Sequence, residues 1–230
     1  MHTGFDLEID KSSSLYNPQF EDSEKDFWLT SAIQTFTKTR YSGFNVKRES
    51  FEQTQKRIDD LRTLVVEEII TGANITAGTD KPNSFIADLT SLSNDYWFTL
   101  GEEVTVNFTP FGGSSAQDFR FGVKECTTDI YREKIDDPYS EHVLHYNAAR
   151  PLRLFQGDNV ELITDGNYDV TSYHIRYLKA PAELDDTPTN CDLPEHTHPE
   201  IVKMAGNMAL ENIEQELRYK THSVEVSKME

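Results

Sequence analysis

Cysteine and histidine lie closest together near the carboxyl end of the chain, where Cys191, His196 and His198 follow a C-x₄-H-x-H spacing. Zinc is bound by these residue types, but structural zinc sites use tighter pairs and a fourth ligand within reach. The two histidines also flank a predicted helix start, where an imidazole commonly meets solvent or caps the backbone. A metal site and an ordinary helix start both fit the spacing, and we expect the helix start.

A second pair, His142 and His145, stands beside Glu141. On a helix, residues three apart share a face, but this stretch leads into predicted strands, where they point to opposite faces. We therefore expect neither a metal site nor a general base at this pair.

Other forms of catalysis have no support in the sequence. The chain contains no G-x-S-x-G elbow, and neither Cys126 nor Cys191 lies in an activating sequence. The glycine-rich stretch 112–115 lacks the lysine and the following helix of a phosphate-binding loop. Trp97 and its aromatic neighbours suit either sugar stacking or the packing of a small β module, and we expect core packing. We therefore expect no catalytic residue, no cofactor and no metal.

The chain is strongly acidic, since 40 acidic against 22 basic residues give a charge of −18 at pH 7. Such a surface repels phosphate, which argues against a protein that grips nucleic acid. It is compatible with a passage through which DNA slides without sticking, and equally with an acidic surface that only confers solubility. The two cysteines are too few for a disulfide framework, and no apolar run has the roughly 18 residues of a membrane span. We expect no membrane partner.

An extended amino-terminal arm and a helical hairpin are predicted before the middle of the chain. Residues 1–22 form the arm, whose Phe5, Leu7 and Ile9 are expected to dock on another chain; a partly disordered leader is the alternative. The hairpin and a linker occupy residues 23–83.

Each helix of the hairpin begins at a capping-box pattern and carries one apolar stripe. The first runs from Ser23, boxed with Asp26, to Tyr41, and the second from Ser50, boxed with Gln53, to Thr71. The stripes are Phe27, Ala32 (or Leu29), Ile33, Phe36 and Arg40 in the first helix, and Phe51, Ile58, Leu61, Val65 and Ile69 in the second. A short polar loop between them predicts antiparallel packing.

An inserted β module is predicted for residues 84–181, because the apolar period changes from 3.6 to 2 there. Residues 96–100 and 104–108 look like a hairpin around Gly101-Glu102-Glu103. Two more strands flank Gly157-Asp158, and a long strand covers 168–179 after an Asp165-Gly166-Asn167 turn. Alternation over so many short strands predicts an antiparallel sandwich or barrel.

A third helix is predicted after a second linker, both within residues 182–220, followed by a polar tail over 221–230. Thr197, Pro199 and Glu200 provide a cap, a first-turn proline and a boxed glutamate. Its stripe is Ile201, Ala205, Met208, Ala209, Ile213 and Leu217. We expect this helix to pack on the hairpin, so the fold class is α+β, a helical core with an inserted β module.

Three stretches, taken together in this order, carry a family resemblance. They are Asp26-Phe27-Trp28-Leu29 with 37–43 and 51–65; 149–154 with 160–165 and 175–181; and 191–202. The combination resembles the ring (head-to-tail connector) proteins of crAss-like phages, virion structural proteins of phages that infect Bacteroidetes. The resemblance covers roughly residues 23–215.

The resemblance implies a non-enzymatic subunit of the phage neck, located in the virion and synthesised in the host bacterial cytoplasm. Such proteins form a homo-oligomeric, typically dodecameric, ring beneath the portal protein. The ring extends the DNA conduit, contacts other neck and tail ring proteins, and lets genomic DNA pass through its lumen without specific binding. The family supplies no catalytic residues.

Six residues are candidates for the interfaces of such a ring. Trp28 and Tyr41 lie off the stripe of the first helix, and Met204 lies at the edge of the last. With Phe5, Leu7 and Ile9 of the arm they are expected to contact neighbouring chains, although a wider core also explains the three helix positions. Two other functions remain open: a tail-associated module whose β insert binds a surface glycan, and a small metal-dependent hydrolase that uses the histidines.

Overall fold

The computed structural model of the protein describes residues 1–12, 20–42, 51–184 and 190–212. The chain divides into two compact units, here called the helical unit (Met1–Leu64 with Pro181–Glu230) and the β unit (Val65–Ala180). The predicted α+β class is confirmed: helices and two sheets are both present, and the sheets form a sandwich. Among the described residues, no helix has both the length and the apolar character needed to cross a bilayer.

The amino-terminal segment is a helix, α1 (His2–Ser12), and not the extended arm that we predicted. Phe5 and Ile9 are four residues apart, so they share one helix face, and both are buried in the helical unit. The face packs against the last helix of the unit, where Ile9 lies close to Gly206. Burial of this stripe stabilises a helix that its own polar composition would leave marginal.

The predicted first helix is confirmed as α2 (Asp22–Tyr41), but its cap and one stripe position differ. The capping box is Glu21 with Glu24, whose Oε2 accepts from the Glu21 amide at 2.9 Å. Phe27 is 62% exposed, while Leu29 is buried. At about 100° per residue, Phe27 lies roughly 200° around the helix from Leu29, so the two cannot share the buried face.

The predicted second helix is wrong beyond Leu64. The segment contains a 3₁₀ turn (Phe51–Gln53), α3 (Gln55–Leu61), a second 3₁₀ turn (Arg62–Leu64) and then strand β1 (Val65–Thr71). Four of the seven residues in β1 are valine or isoleucine, which favour a strand. Pairing with a strand more than a hundred residues later overrides the helical spacing that the segment also fits.

The β unit contains nine strands and one helix. After β1 they are β2 (Ile75–Ala77), β3 (Ser84–Asp88), β4 (Tyr96–Phe108), β5 (Gln117–Gly122), β6 (Lys124–Glu125), α4 (Thr128–Asp136), β7 (Leu152–Gln156), β8 (Asn159–Ile163) and β9 (Asp169–Lys179). The first sheet has the order β1-β9-β4-β5, and the second has the order β2-β3-β8-β7-β6. All pairs are antiparallel except β6 with β7.

The hairpin predicted at Gly101-Glu102-Glu103 is wrong, because β4 continues through these residues as one strand of 13. A register shift between Thr99 and Gly101, one of three along the pairing with β9, accommodates the glycine without a reversal of direction. The hairpin at Gly157-Asp158 and the turn at Gly166 are confirmed. Gly157 has φ 60° and Gly166 has φ 85°, values that favour glycine.

The inner faces of the two sheets share one hydrophobic core. The first sheet contributes Val104, Tyr173 and Ile175, and the second contributes Val160 and Leu162. The far side of the second sheet is covered by α4, whose Tyr131 and Ile135 pack against buried Leu152, Leu154 and Ile163. The sandwich therefore has one face closed by a helix.

The predicted carboxyl-terminal helix is α5 (His198–Asn212), which follows a 3₁₀ turn (Glu195–Thr197) and packs on α2. Ile201, Ala205 and Ala209 of the predicted stripe are buried, while Met208 is half-buried. Ile213, Leu217 and the predicted tail 221–230 lie outside the described residues.

Candidate assembly surfaces

Two of the six predicted interface residues are core residues of their own chain. Phe5 is 0% exposed and Ile9 is 2% exposed. The Phe5 ring lies edge-on to Phe20, with 5.5 Å between centroids. These two residues therefore stabilise the helical unit from within, contrary to the expectation that they dock on another chain.

The remaining four predicted residues reach the surface of the helical unit. Leu7 is 65% exposed on α1, and Trp28, Tyr41 and Met204 are half-buried. Trp28 packs edge-on against Phe27 with 5.1 Å between ring centroids, which leaves most of the Phe27 side chain in solvent. Phe27 is an interface candidate that the sequence analysis assigned to the core.

A shallow groove of about 400 Å³ lies along α2 beside the segment before residue 185. Its lining includes Phe27, Thr30, Gln34 and Leu184. The Leu184 amide donates to Thr30 Oγ1 at 3.1 Å, which fixes one wall of the groove. The groove places polar side chains next to the exposed Phe27 ring.

Two loops of the β unit present exposed aromatic side chains that contact each other. Phe111 is 79% exposed and Tyr146 is 81% exposed, and their rings meet edge to face at 5.9 Å. The Phe111 amide donates to Asn147 Oδ1 at 2.8 Å, so a backbone-to-side-chain hydrogen bond joins the two loops as well as the ring contact. Phe111 and Tyr146, here called the aromatic pair, form a fixed feature of the surface.

The backbone under Tyr146 is in the left-handed region, with φ 58°. His145 and Ala148 exchange two backbone hydrogen bonds of 3.0 and 3.1 Å, which makes Tyr146 the first residue of a two-residue turn. A bulky residue in this conformation costs about 1–2 kcal/mol. The fold tolerates that strain while it holds an aromatic ring in solvent, and such strain often marks a functional surface.

The two histidines near the carboxyl end make structural contacts within the helical unit. His196 Nε2 lies 3.0 Å from Asp60 Oδ1, and His198 Nε2 lies 3.2 Å from the Leu193 carbonyl oxygen. Cys191 is a free thiol, and burial raises its pKa, so its thiolate is disfavoured. Throughout the described ranges, no three His, Cys, Asp or Glu side chains come together in a group able to hold a metal ion.

The other histidine pair is divided between two environments. His142 is buried, and burial lowers its pKa, while its carbonyl oxygen accepts from the Tyr168 hydroxyl at 2.8 Å. His145 instead closes the turn that carries Tyr146. The structure places these two histidines in core packing and turn formation.

A buried polar cluster that the sequence analysis missed lies between the two sheets. Glu102 accepts from the Tyr173 hydroxyl, and its Oε2 lies 2.9 Å from Arg153 Nε. Arg153 Nη2 also lies 2.6 Å from Oε1 of Glu125, whose side chain is exposed. Burial raises the pKa of Glu102, and the Tyr173 hydrogen bond and the Arg153 charge oppose that rise. The cluster joins β4 and β9 of one sheet to β6 and β7 of the other.

A family model described as phage tail ring protein 3/4 matches residues 1–220, which include most of both units. No curated protein matches the chain. The match confirms the resemblance found in the sequence, and the family description agrees with the virion location and the ring assembly expected there. The chain belongs to the phage tail ring protein 3/4 family.

Proposed function

We propose that this protein is a non-enzymatic structural subunit that forms a homo-oligomeric ring in the neck of a tailed phage. The ring lies below the portal protein, extends the DNA conduit and joins the capsid to the tail. The family match over residues 1–220 is the observation that carries the proposal.

The distribution of exposed apolar side chains supports an assembling subunit. Leu7 and Phe27 are exposed in the helical unit, and the aromatic pair is exposed in the β unit. Aromatic side chains are enriched where proteins contact one another. Each unit therefore carries its own candidate contact residues.

The charge of the chain supports a conduit for DNA. A net charge of −18 gives the subunit an acidic field that repels phosphate. In a ring of many copies, that field favours passage of DNA over adhesion to the wall.

Size-exclusion chromatography with light scattering, followed by electron microscopy, tests the proposal. We expect copies of the 26.4-kDa chain to form closed rings, alone or when purified portal protein is added. A protein that stays monomeric in both conditions would overturn the proposal.

A matched pair of variants on α1 tests whether ring assembly depends on an exposed apolar side chain of that helix. Leu7→Lys removes an exposed apolar side chain, whereas Asp10→Asn makes the same change in charge at another exposed position of that helix. We expect Leu7→Lys to reduce ring formation and Asp10→Asn to leave it unchanged. Thermal melting of both variants should match the parent, because neither position is buried.

Glycan recognition is the second candidate function, and the aromatic pair is the observation that favours it. Exposed aromatic rings can stack on sugars, and the Phe111 and Tyr146 rings lie in contact with each other in solvent. A glycan array probed with the parent protein and with Phe111→Ala tests this function. Binding by a monomer that is lost in the variant would replace the ring proposal, and the absence of binding would retain it.

A further inference from the structure

The sandwich of the β unit has two unlike sides. The chain passes from β1 to β2 through the turn Gly72–Asn74, and from β5 to β6 through Val123. Since β1 and β2 are edges of the two sheets, and β5 and β6 are the opposite edges, one side carries β1 with β2 and the other carries β5 with β6. A contact between these unlike sides is head-to-tail, the type of interface from which rings are built.

The two edge strands of the first sheet, β1 and β5, each have backbone N–H and C=O groups on one side that no other described strand pairs with. Within the described residues, β1 pairs only with β9, and β5 pairs only with β4. The strands have seven and six residues, and neither contains proline or lysine. Natural proteins use such residues to block edge pairing, so these edges lack two common protections.

Charged side chains on these strands are held by partners within the chain. Glu68, on the inner side of β1, accepts from the Ser93 amide at 3.0 Å and from the Tyr177 hydroxyl at 2.8 Å. Arg120, on the outer side of β5, turns back over its own sheet to Glu103 and lies 4.0 Å from Glu67. Because the Glu68 and Arg120 side chains bind partners within the chain, neither is held beside the edge where it would block an incoming strand.

The directions of the two edge strands allow antiparallel pairing between copies. Each neighbouring pair in β1-β9-β4-β5 is antiparallel, so β1 and β5 run in opposite directions. When β1 of a second copy lies beside β5, the antiparallel ladder therefore continues without interruption. The same step repeats at the free β5 edge of the second copy.

The side chains along the two edges also suit one another. Phe119 and Phe121 of β5 stack along Phe108, at centroid distances of 4.6 and 6.4 Å, and are half-buried at the end of the core. On β1, Val66 and Ile70 line the same inner side of the sheet. Aromatic and β-branched residues form favourable cross-strand pairs, so the joined edges extend one hydrophobic core into the next.

We propose that neighbouring copies in the ring are joined by antiparallel pairing of β5 of one copy with β1 of the next, which extends the four-stranded sheet from copy to copy. The proposal rests on the proposed ring and specifies its subunit interface. The strand that pairs with each edge therefore comes from a second copy of this chain.

Engineered disulfides across the two edges test the pairing. The outer positions Ile69 and Thr71 of β1 are each combined as cysteine variants with Asp118→Cys or Arg120→Cys of β5, after both native cysteines are replaced by alanine. Within one chain, three strand spacings separate the edges by roughly 14 Å. That distance exceeds the roughly 7 Å limit between Cα atoms of a disulfide, so oxidation can join only different copies.

We expect at least one of the four double variants to give a ladder of covalent multimers on a non-reducing gel, ending at the full ring. Each single cysteine variant is the matched control and should give no ladder, because a head-to-tail interface does not bring the same residue of two copies together. Rings seen by electron microscopy in all four double variants, with no covalent multimer in any, would overturn the edge pairing and leave the proposed function standing. No ring in the parent protein, with or without portal protein, would overturn the proposed function itself.

Discussion

In the helical unit, separate stretches of chain meet mainly through side chains, whereas in the β unit long strands meet through the backbone. Arg40 Nε of α2 lies 3.0 Å from Asp60 Oδ2 of α3, and its Nη2 lies 2.5 Å from Glu200 Oε2 of α5. In contrast, β4 and β9 pair along almost their whole length. The helical unit therefore depends on a few buried groups, while the β unit distributes its stability over many hydrogen bonds.

The two units also differ in how well they tolerate irregular features. The β unit contains three register irregularities in one strand pair and a tyrosine with φ 58°, and its ladder remains continuous around them. In the helical unit, buried Asp60 serves both Arg40 and His196, so one residue links three segments. Substitutions should accordingly act more severely, and more locally, in the helical unit.

The largest effect is expected from Asp60→Ala. Arg40 would remain buried with one of its two carboxylate partners removed, a loss that costs about 4 kcal/mol of unfolding free energy. Asp59→Ala, at the neighbouring and more exposed position, is the control and should cost less than about 0.5 kcal/mol. Hydrogen exchange measured by mass spectrometry should show faster exchange in α2 and α5, with β9 unchanged. Equally accelerated hydrogen exchange in β9 would contradict the proposed difference between the units, because the effect would not be confined to the helical unit.

A second large effect is expected from Ile9→Ala on α1. The side chain is 2% exposed, and removal of its buried methyl and methylene groups should lower the unfolding free energy by about 3 kcal/mol. Leu7→Ala on the same helix is the control, and its loss should stay within about 0.5 kcal/mol because the side chain is exposed. Denaturant unfolding of both variants measures the contrast. Equal losses would restore our first interpretation of this segment as an arm outside the core.

A smaller, pH-dependent effect is expected from Glu102→Gln in the β unit. Since the pKa of Glu102 is raised above its usual 4.5, the folded protein holds this proton at pH values where the unfolded chain has lost it. The contribution of Glu102 to stability is therefore present below the usual pKa and is lost as the pH rises through the raised pKa. The parent should lose stability relative to Glu102→Gln over that range, as measured by unfolding at several pH values. The neighbouring Glu103→Gln, on the outer face, is the control, and an identical pH profile for both variants would contradict the assignment.

Local sequence patterns were sufficient where an element is determined by its own residues. The helices α2 and α5 carry apolar stripes, and the β7–β8 hairpin carries Gly157 at its turn. They were insufficient for β1, whose Val-Val-Glu-Glu-Ile-Ile run also fits a helix and whose partner β9 lies far along the chain. Only the tertiary pairing decides between the two.

The candidate surfaces were predicted less completely than the fold. Leu7 is exposed and stays a predicted contact residue, but Phe5 and Ile9 share its segment and are buried, since the side that α5 covers cannot be deduced from a polar helix. The aromatic pair has no periodic pattern, because it forms where two loops meet. Tyr146 and Asn147 lie between His145 and Ala148, which pair as a β-bridge, but that pairing is known only from the folded structure.

The smallest effect, and one of opposite sign, is expected from Tyr146→Asn. Asparagine tolerates the left-handed conformation better than tyrosine, so the variant should gain up to about 1 kcal/mol of unfolding free energy. Tyr139→Asn is the matched control, because Tyr139 is 86% exposed and has no positive φ, and its stability should not change. Denaturant unfolding measures the gain, and light scattering with portal protein measures assembly. A variant that is more stable but assembles less well would mean that the strain under Tyr146 is maintained for contact with a partner. A variant that is more stable and assembles normally would instead show that the β unit merely tolerates the strain, as its continuous ladder allows.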